Sequence, residues 1–177
     1  WEQSLYSSGS IVTLYTEMFG DPWQLQTPQI ADWLTQPEFQ LPFESGDPYH
    51  LTSGPHRAWG LGSPWAAVDF APQDDVPGCA VSPFWVTAAA AGRVVRSENG
   101  VVVIDLDGDG LEQTGWVLFY LHIADSDRVQ SGDWLEMGGR VGHASCEGGS
   151  ATGTHLHIAR KYNGEWIAAD GAIPFIL

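Results

Sequence analysis

No stretch of this 177-residue chain is apolar for long enough to cross a bilayer as a helix, which takes about 18 residues or more. Membrane insertion is therefore not expected, and the residues from Trp1 onward carry no secretory leader pattern. Basic residues are scarce: seven Lys and Arg stand against 22 Asp and Glu, a net charge of −15. Such a surface repels phosphate backbones and anionic headgroups, so nucleic acid is not an expected partner. Cysteine is limited to Cys79 and Cys146, both near glycines and outside strand-like runs. A lone pair in a loop-rich protein suggests one disulfide made in an oxidising compartment, hence a secreted or extracytoplasmic protein. Internal repeats and low-complexity tracts are missing as well.

What the chain does have is glycine and tryptophan, 21 and nine residues, which fits a β protein with many loops. Its length suits one substantial core and is too little for two comfortable domains, since a chain of this size buries roughly 70% of its unfolded surface. Ile11, Leu14, Tyr15, Met18 and Phe19 recur at helical spacing before Gly20 and Pro22, so residues 10–19 are expected to form a short amphipathic helix. Residues 1–40 then read as an N-terminal arm and wrapping linker, and 41–177 as the main domain.

Strand signals dominate that domain. Two apolar runs meet at Asn99-Gly100, a dipeptide that takes the positive φ angles of a tight hairpin, and GWVLFYLHI supplies a third strand. A further hairpin is expected at Asn163-Gly164. The fold class is mainly β: an antiparallel β-sandwich or open barrel with a groove, plus the short N-terminal helical arm.

The most informative segment is GTHLHI, in which His155 and His157 stand two residues apart. In a strand such residues project to one side, so two imidazoles converge on one centre. His122 ends the run YLHI, and GPHRAWGLGSPWAAVDF adds His56 and Asp69. Four histidines and a carboxylate on separate segments meet the ligand and acid–base needs of a catalytic zinc.

The order His, Asp, strand-borne His, then HxH resembles the lysostaphin-type zinc metallopeptidases of family M23. The twelve residues between His56 and Asp69 are similar to the beta-lytic and staphylolysin branch. That resemblance, from about Pro42 to the C-terminus, implies Zn2+ held by His56, Asp69 and His157. It also implies that His122 and His155 orient or deprotonate water and stabilise the oxyanion, without dividing those roles between them. The implied function is endopeptidase cleavage of Gly-containing peptide bonds in bacterial peptidoglycan by zinc-activated water, and a monomer is expected. Rival readings are a catalytically silent cell-wall-binding module of the same fold, an endopeptidase for Gly-rich proteins, and a tryptophan-rich carbohydrate-binding module.

Some residues stand outside this set. Tyr120, two before His122, is expected on the same face, where it would either assist the oxyanion or sit buried in the strand. His143 reads as a loop histidine, the alternative being a residue at the rim of the site or behind its ligands, and His50 carries no signal. Asp105, Asp107 and Asp109 resemble the first half of a calcium loop, but Trp116 stands where the bidentate Glu is required, so a tight acidic turn is expected.

Overall fold

The computed structural model describes residues 10–20, 30–31, 33–73 and 78–177, so residues 1–9, 21–29 and 32 of the expected arm and linker lie outside it, as do residues 74–77. Contacts divide the chain into two units, Trp1–Asp32 and Trp33–Leu177. In the first, α1 spans Ser10–Phe19 as its periodicity predicts, and the rings of Tyr15 and Phe19, one turn apart, meet at 5.1 Å.

The described residues of the second unit form ten strands: β1 (Tyr49–Arg57), β2 (Trp65–Pro72), β3 (Trp85–Thr87), β4 (Gly92–Glu98), β5 (Val101–Asp105), β6 (Trp116–Leu121), β7 (Trp134–Leu135), β8 (Arg140–His143), β9 (Leu156–Tyr162) and β10 (Glu165–Trp166). One open antiparallel sheet runs in the order β1-β2-β9-β6-β5-β4-β7, with β10 paired to β9, and β3 and β8 make a separate two-stranded sheet. Both sequence-marked hairpins form. Asn99 and Gly100 sit at φ 50° and 75°, and Asn163 and Gly164 at 49° and 82°, the left-handed pair that matches strand twist.

Alternation along the central strands sorts their side chains into two cores. Val102, Ile104, Leu118, Tyr120, Leu156 and Ile158 face one side, where Val86 of β3 and Val141 of β8 close over them. Val101, Val103, Val117, Phe119, Leu121 and Ala159 face the other, against Ala58 and Ala66. The β3–β8 pair thus covers one face of the central sheet, and the groove opens on the other. Leu34 and Phe39 are buried within this unit too, ahead of its first strand.

Two expectations are corrected here. His143 is a buried strand residue of β8, not a loop residue, with Nδ1 3.1 Å from the Phe84 carbonyl and its ring 3.9 Å from that of Trp85. Tyr120 does not share a face with His122: it lies in the covered core, where its hydroxyl accepts the Ala89 N–H at 2.8 Å and burial pushes its pKa up. The cause is His122 itself, whose φ of 67° breaks the strand alternation.

Cys79 and Cys146 form the expected disulfide, with Cα atoms 5.2 Å apart. The acidic segment turns tightly and brings one carboxylate oxygen each of Asp105, Asp107 and Asp109 within 4.8 Å of one another. Asp105 accepts the N–H groups of Asp107 and Gly110, while Asp109 accepts that of Leu111 and the Thr114 hydroxyl.

Candidate metal centre and groove

Asp69 and His157 stand directly opposite each other on β2 and β9, a pairing that brings Cβ atoms to about 5 Å. His56 pairs with Ala67, two residues from Asp69, and so reaches the same side of the sheet. The β1–β2 register slips on either side of His56, the kind of irregularity that re-aims a side chain at a sheet edge. Pro55, which has no N–H to donate, is tolerated here because β1 is an edge strand.

Three atoms converge as a result. His56 Nε2 and His157 Nδ1 each lie 3.2 Å from Asp69 Oδ1, and 3.1 Å from one another. The second nitrogen of each ring is anchored on a backbone carbonyl: His56 Nδ1 at 3.0 Å from Gly54 and His157 Nε2 at 2.9 Å from Ala58. A carbonyl only accepts, so the anchored nitrogens carry the protons and the facing nitrogens present lone pairs. The Ser53 hydroxyl, 3.4 Å from His56 Nδ1, donates at 3.2 Å to the Gly54 carbonyl instead.

Asp69 Oδ1 is buried and has no hydrogen-bond donor, although both ring nitrogens are near it. Burial raises the Asp69 pKa, but the adjacent His157, with positive charge on His155, His157 and His56, outweighs it and leaves the carboxyl below its ordinary value. The site therefore favours the carboxylate, an anionic ligand atom that faces two ring nitrogens at 3.2 Å.

The spacing suits a small transition-metal ion. Bonds of about 2.0–2.1 Å at the tetrahedral angle put neighbouring ligand atoms about 3.3 Å apart, close to what is found here, and two imidazoles with one carboxylate suit a borderline-soft ion. A calcium site calls for oxygen donors alone and longer bonds. The residues present fit zinc.

The remaining histidines occupy the same groove, a cleft of 620 Å³ whose walls include Trp59, Leu121, Ser150 and Thr152. The rings of His122 and His155 lie 4.5 Å apart. His122 Nδ1 is anchored at 2.9 Å on the Glu147 carbonyl and His155 Nδ1 at 2.8 Å on that of Gly153, so each leaves Nε2 as an acceptor. His155 Nε2 stands 3.7 Å from Asp69 Oδ2.

Burial pushes His122 down to about 4. The Glu147 carbonyl and Asp69 pull the other way, while charge on His155 and His157 lowers it further. The ring is thus neutral at neutral pH. Its left-handed backbone, costly for a residue with a Cβ, is held by Ser145, whose N–H and hydroxyl both donate to the His122 carbonyl at 2.7 and 3.0 Å.

All five residues marked in the sequence thus lie in one groove, and His50 and His143 do not. Sequence reasoning missed the carbonyls that set the tautomers, which carry no side-chain signal, and the groove positions of Arg57 and Trp59. Adjacency to His56 was the one available sign of the latter two.

Comparison with known proteins gives the family and the fold. The protease LasA of Pseudomonas aeruginosa is 33% identical over 141 residues, covering 75% of this chain and 31% of LasA, so the chain spans about a third of that relative's length. The M23 metalloprotease pseudoalterin, from the deep sea, shares the fold at a TM-score of 0.58 with 23% identity, over 77% of this chain and 75% of its own. A zinc-containing peptidase from Vibrio cholerae does so at 0.53 with 22% identity, over 79% of this chain and 41% of its own. Residues 64–169 match peptidase family M23, a span that takes in Asp69, His122, His155 and His157 and begins after His56. The chain belongs to peptidase family M23.

Proposed function

We propose that this protein is a zinc-dependent endopeptidase, secreted or extracytoplasmic, that hydrolyses Gly-containing peptide bonds in bacterial peptidoglycan cross-links or stems. The observation that carries this reading is the convergence of His56 Nε2, Asp69 Oδ1 and His157 Nδ1, beside two further imidazoles, in one open groove.

His56 Nε2, Asp69 Oδ1 and His157 Nδ1 hold the metal in this proposal. Bound there, a zinc ion supplies a Lewis acid that polarises a carbonyl and makes water acidic enough to ionise near neutral pH. The protein does the rest. His122 and His155, each with Nε2 left free by the carbonyl that anchors Nδ1, accept a proton from water at that atom and return it to the departing amine. Once protonated, either Nε2 donates to the oxygen that gains charge at the attacked carbon. The carbonyls of Gly54, Ala58, Glu147 and Gly153 fix all four rings in the tautomer this chemistry needs before substrate arrives.

Metal content by elemental analysis, combined with cleavage of a pentaglycine-containing peptide before and after chelation, tests the proposal. About one zinc per chain and chelator-sensitive cleavage are expected. Zinc-free protein that binds glycan tightly would replace this reading with that of a binding module. Parallel digestion of purified peptidoglycan and a soluble Gly-rich protein separates the two substrate classes.

A further inference from the structure

The groove holds a cation that neither the metal centre nor the fold uses. The chain has seven basic residues. Arg96 and Lys161 meet Glu112, Arg128 meets Asp125, and Arg140 meets Glu44. Arg160 is buried behind the sheet, held by Gln36 and the Ile173 carbonyl and set over the rings of Trp116 and Phe175. Among the described residues only Arg57 and Arg93 lack an acidic or carbonyl partner, and of these two only Arg57 lines the groove.

Arg57 is exposed, so its guanidinium is available to a ligand in the groove. Arg57 owes its place to the β1–β2 irregularity. His56 pairs with Ala67 and Arg57 with Trp65, so one residue of β2 is skipped between them, and two consecutive β1 residues border the same cleft where strict alternation would send them to opposite faces. A guanidinium presents a planar fork of donors that matches a carboxylate bidentately.

We infer that Arg57 is a specificity-determining residue that binds a carboxylate on the peptide substrate, close to the bond that is cut. This rests on the reading of the groove as a peptidase site and names the class of peptide it prefers. Extended peptide advances about 3.4 Å per residue, so one arginine beside the metal ligand His56 reaches a carboxylate within about two or three residues of the scissile bond. The acid is either the peptide's own C-terminus or a Glu or Asp side chain. The overall charge of −15 repels such a substrate at long range, and a local cation offsets that where the peptide docks.

The test uses acetyl-pentaglycine as free acid and as amide, and an acetylated glycine peptide carrying one internal Glu or Gln. Affinity is measured by NMR titration of chelator-treated protein, so that no carboxylate can sit on a metal, and kcat/KM is measured on zinc-loaded protein. The acid member of at least one pair is expected to bind about fivefold tighter or more, with the difference in cleavage appearing in KM. Arg57→Gln should bring that ratio to about one, Arg57→Lys should keep part of it, and salt near 0.5 M should shrink it. A preference confined to the free acid assigns the terminal carboxylate; a preference for Glu over Gln assigns the side chain. Equal affinities within both pairs, or a preference that survives in Arg57→Gln, would overturn the inference. Because the titration needs no turnover, a carboxylate preference without cleavage counts against the peptidase reading alone, and cleavage without a preference against Arg57 alone.

Discussion

At the scale of single residues, the groove separates groups that would hold metal from groups that would move protons. Asp69→Ala and His157→Ala are expected to lose zinc and activity together, read by elemental analysis and peptide cleavage. His122→Ala should retain zinc and lose about 10²-fold or more in kcat, the loss typical for a general acid–base group. Full turnover in that variant removes His122 from the mechanism. The low pKa of His122 also predicts acid lability. Its folded value of about 4 lies below the ordinary 6.5, so the unfolded chain takes up a proton that the fold refuses. Stability from this group is present above about pH 6.5 and falls as pH drops toward 4. Urea midpoints of chelator-treated protein should therefore decline over that window, and less steeply in His122→Gln.

At the scale of elements, the Glu147–Gly149 loop carries the strictest backbone demands near the site. Gly148 has φ 68°, and a Cβ there would come within 2.3 Å of the Asn99 carbonyl oxygen at the tip of the β4–β5 hairpin. The same loop supplies the carbonyl that anchors His122. Gly148→Ala is expected to cost about 1–3 kcal/mol, seen as a lower thermal midpoint, and to reduce kcat while zinc content holds. Much at this scale was legible beforehand. Asn99-Gly100 and Asn163-Gly164 announced their hairpins, and HxH at period two announced a strand that aims both imidazoles one way. Other parts were not. The adjacency of β2 and β9, which sets Asp69 against His157, is a long-range pairing that no local pattern encodes. The positive φ of His122 depends on Ser145, 23 residues away, so strand alternation placed Tyr120 on the wrong face. Composition also does not say where the tryptophans lie: Trp33, Trp59, Trp65 and Trp134 are each about half exposed or more.

At the scale of the molecule, one covalent link ties the loop after β2 to the loop before β9. The Cys79–Cys146 bridge closes 67 residues of chain. Loop-closure entropy for that length is about 4 kcal/mol, so the Cys79→Ala/Cys146→Ala double variant should lose up to that much by urea unfolding. Alkylation before and after reductant should show thiols only in the reduced protein.

The two-sided character of β9 has a consequence for how this sequence can change. Its odd positions offer His157 to the groove and Ala159 to the core beneath it, while its even positions offer Leu156, Ile158 and Arg160 to the opposite core. Loss of one residue within Leu156–Tyr162 would exchange the two sets at once, turning an imidazole into the covered core and a guanidinium into the groove. The loop before it, which anchors His122 and His155 through the Glu147 and Gly153 carbonyls, constrains length as well. Within this strand, viable insertions and deletions are confined to multiples of two, and a library of length variants should sort into living and dead clones by parity.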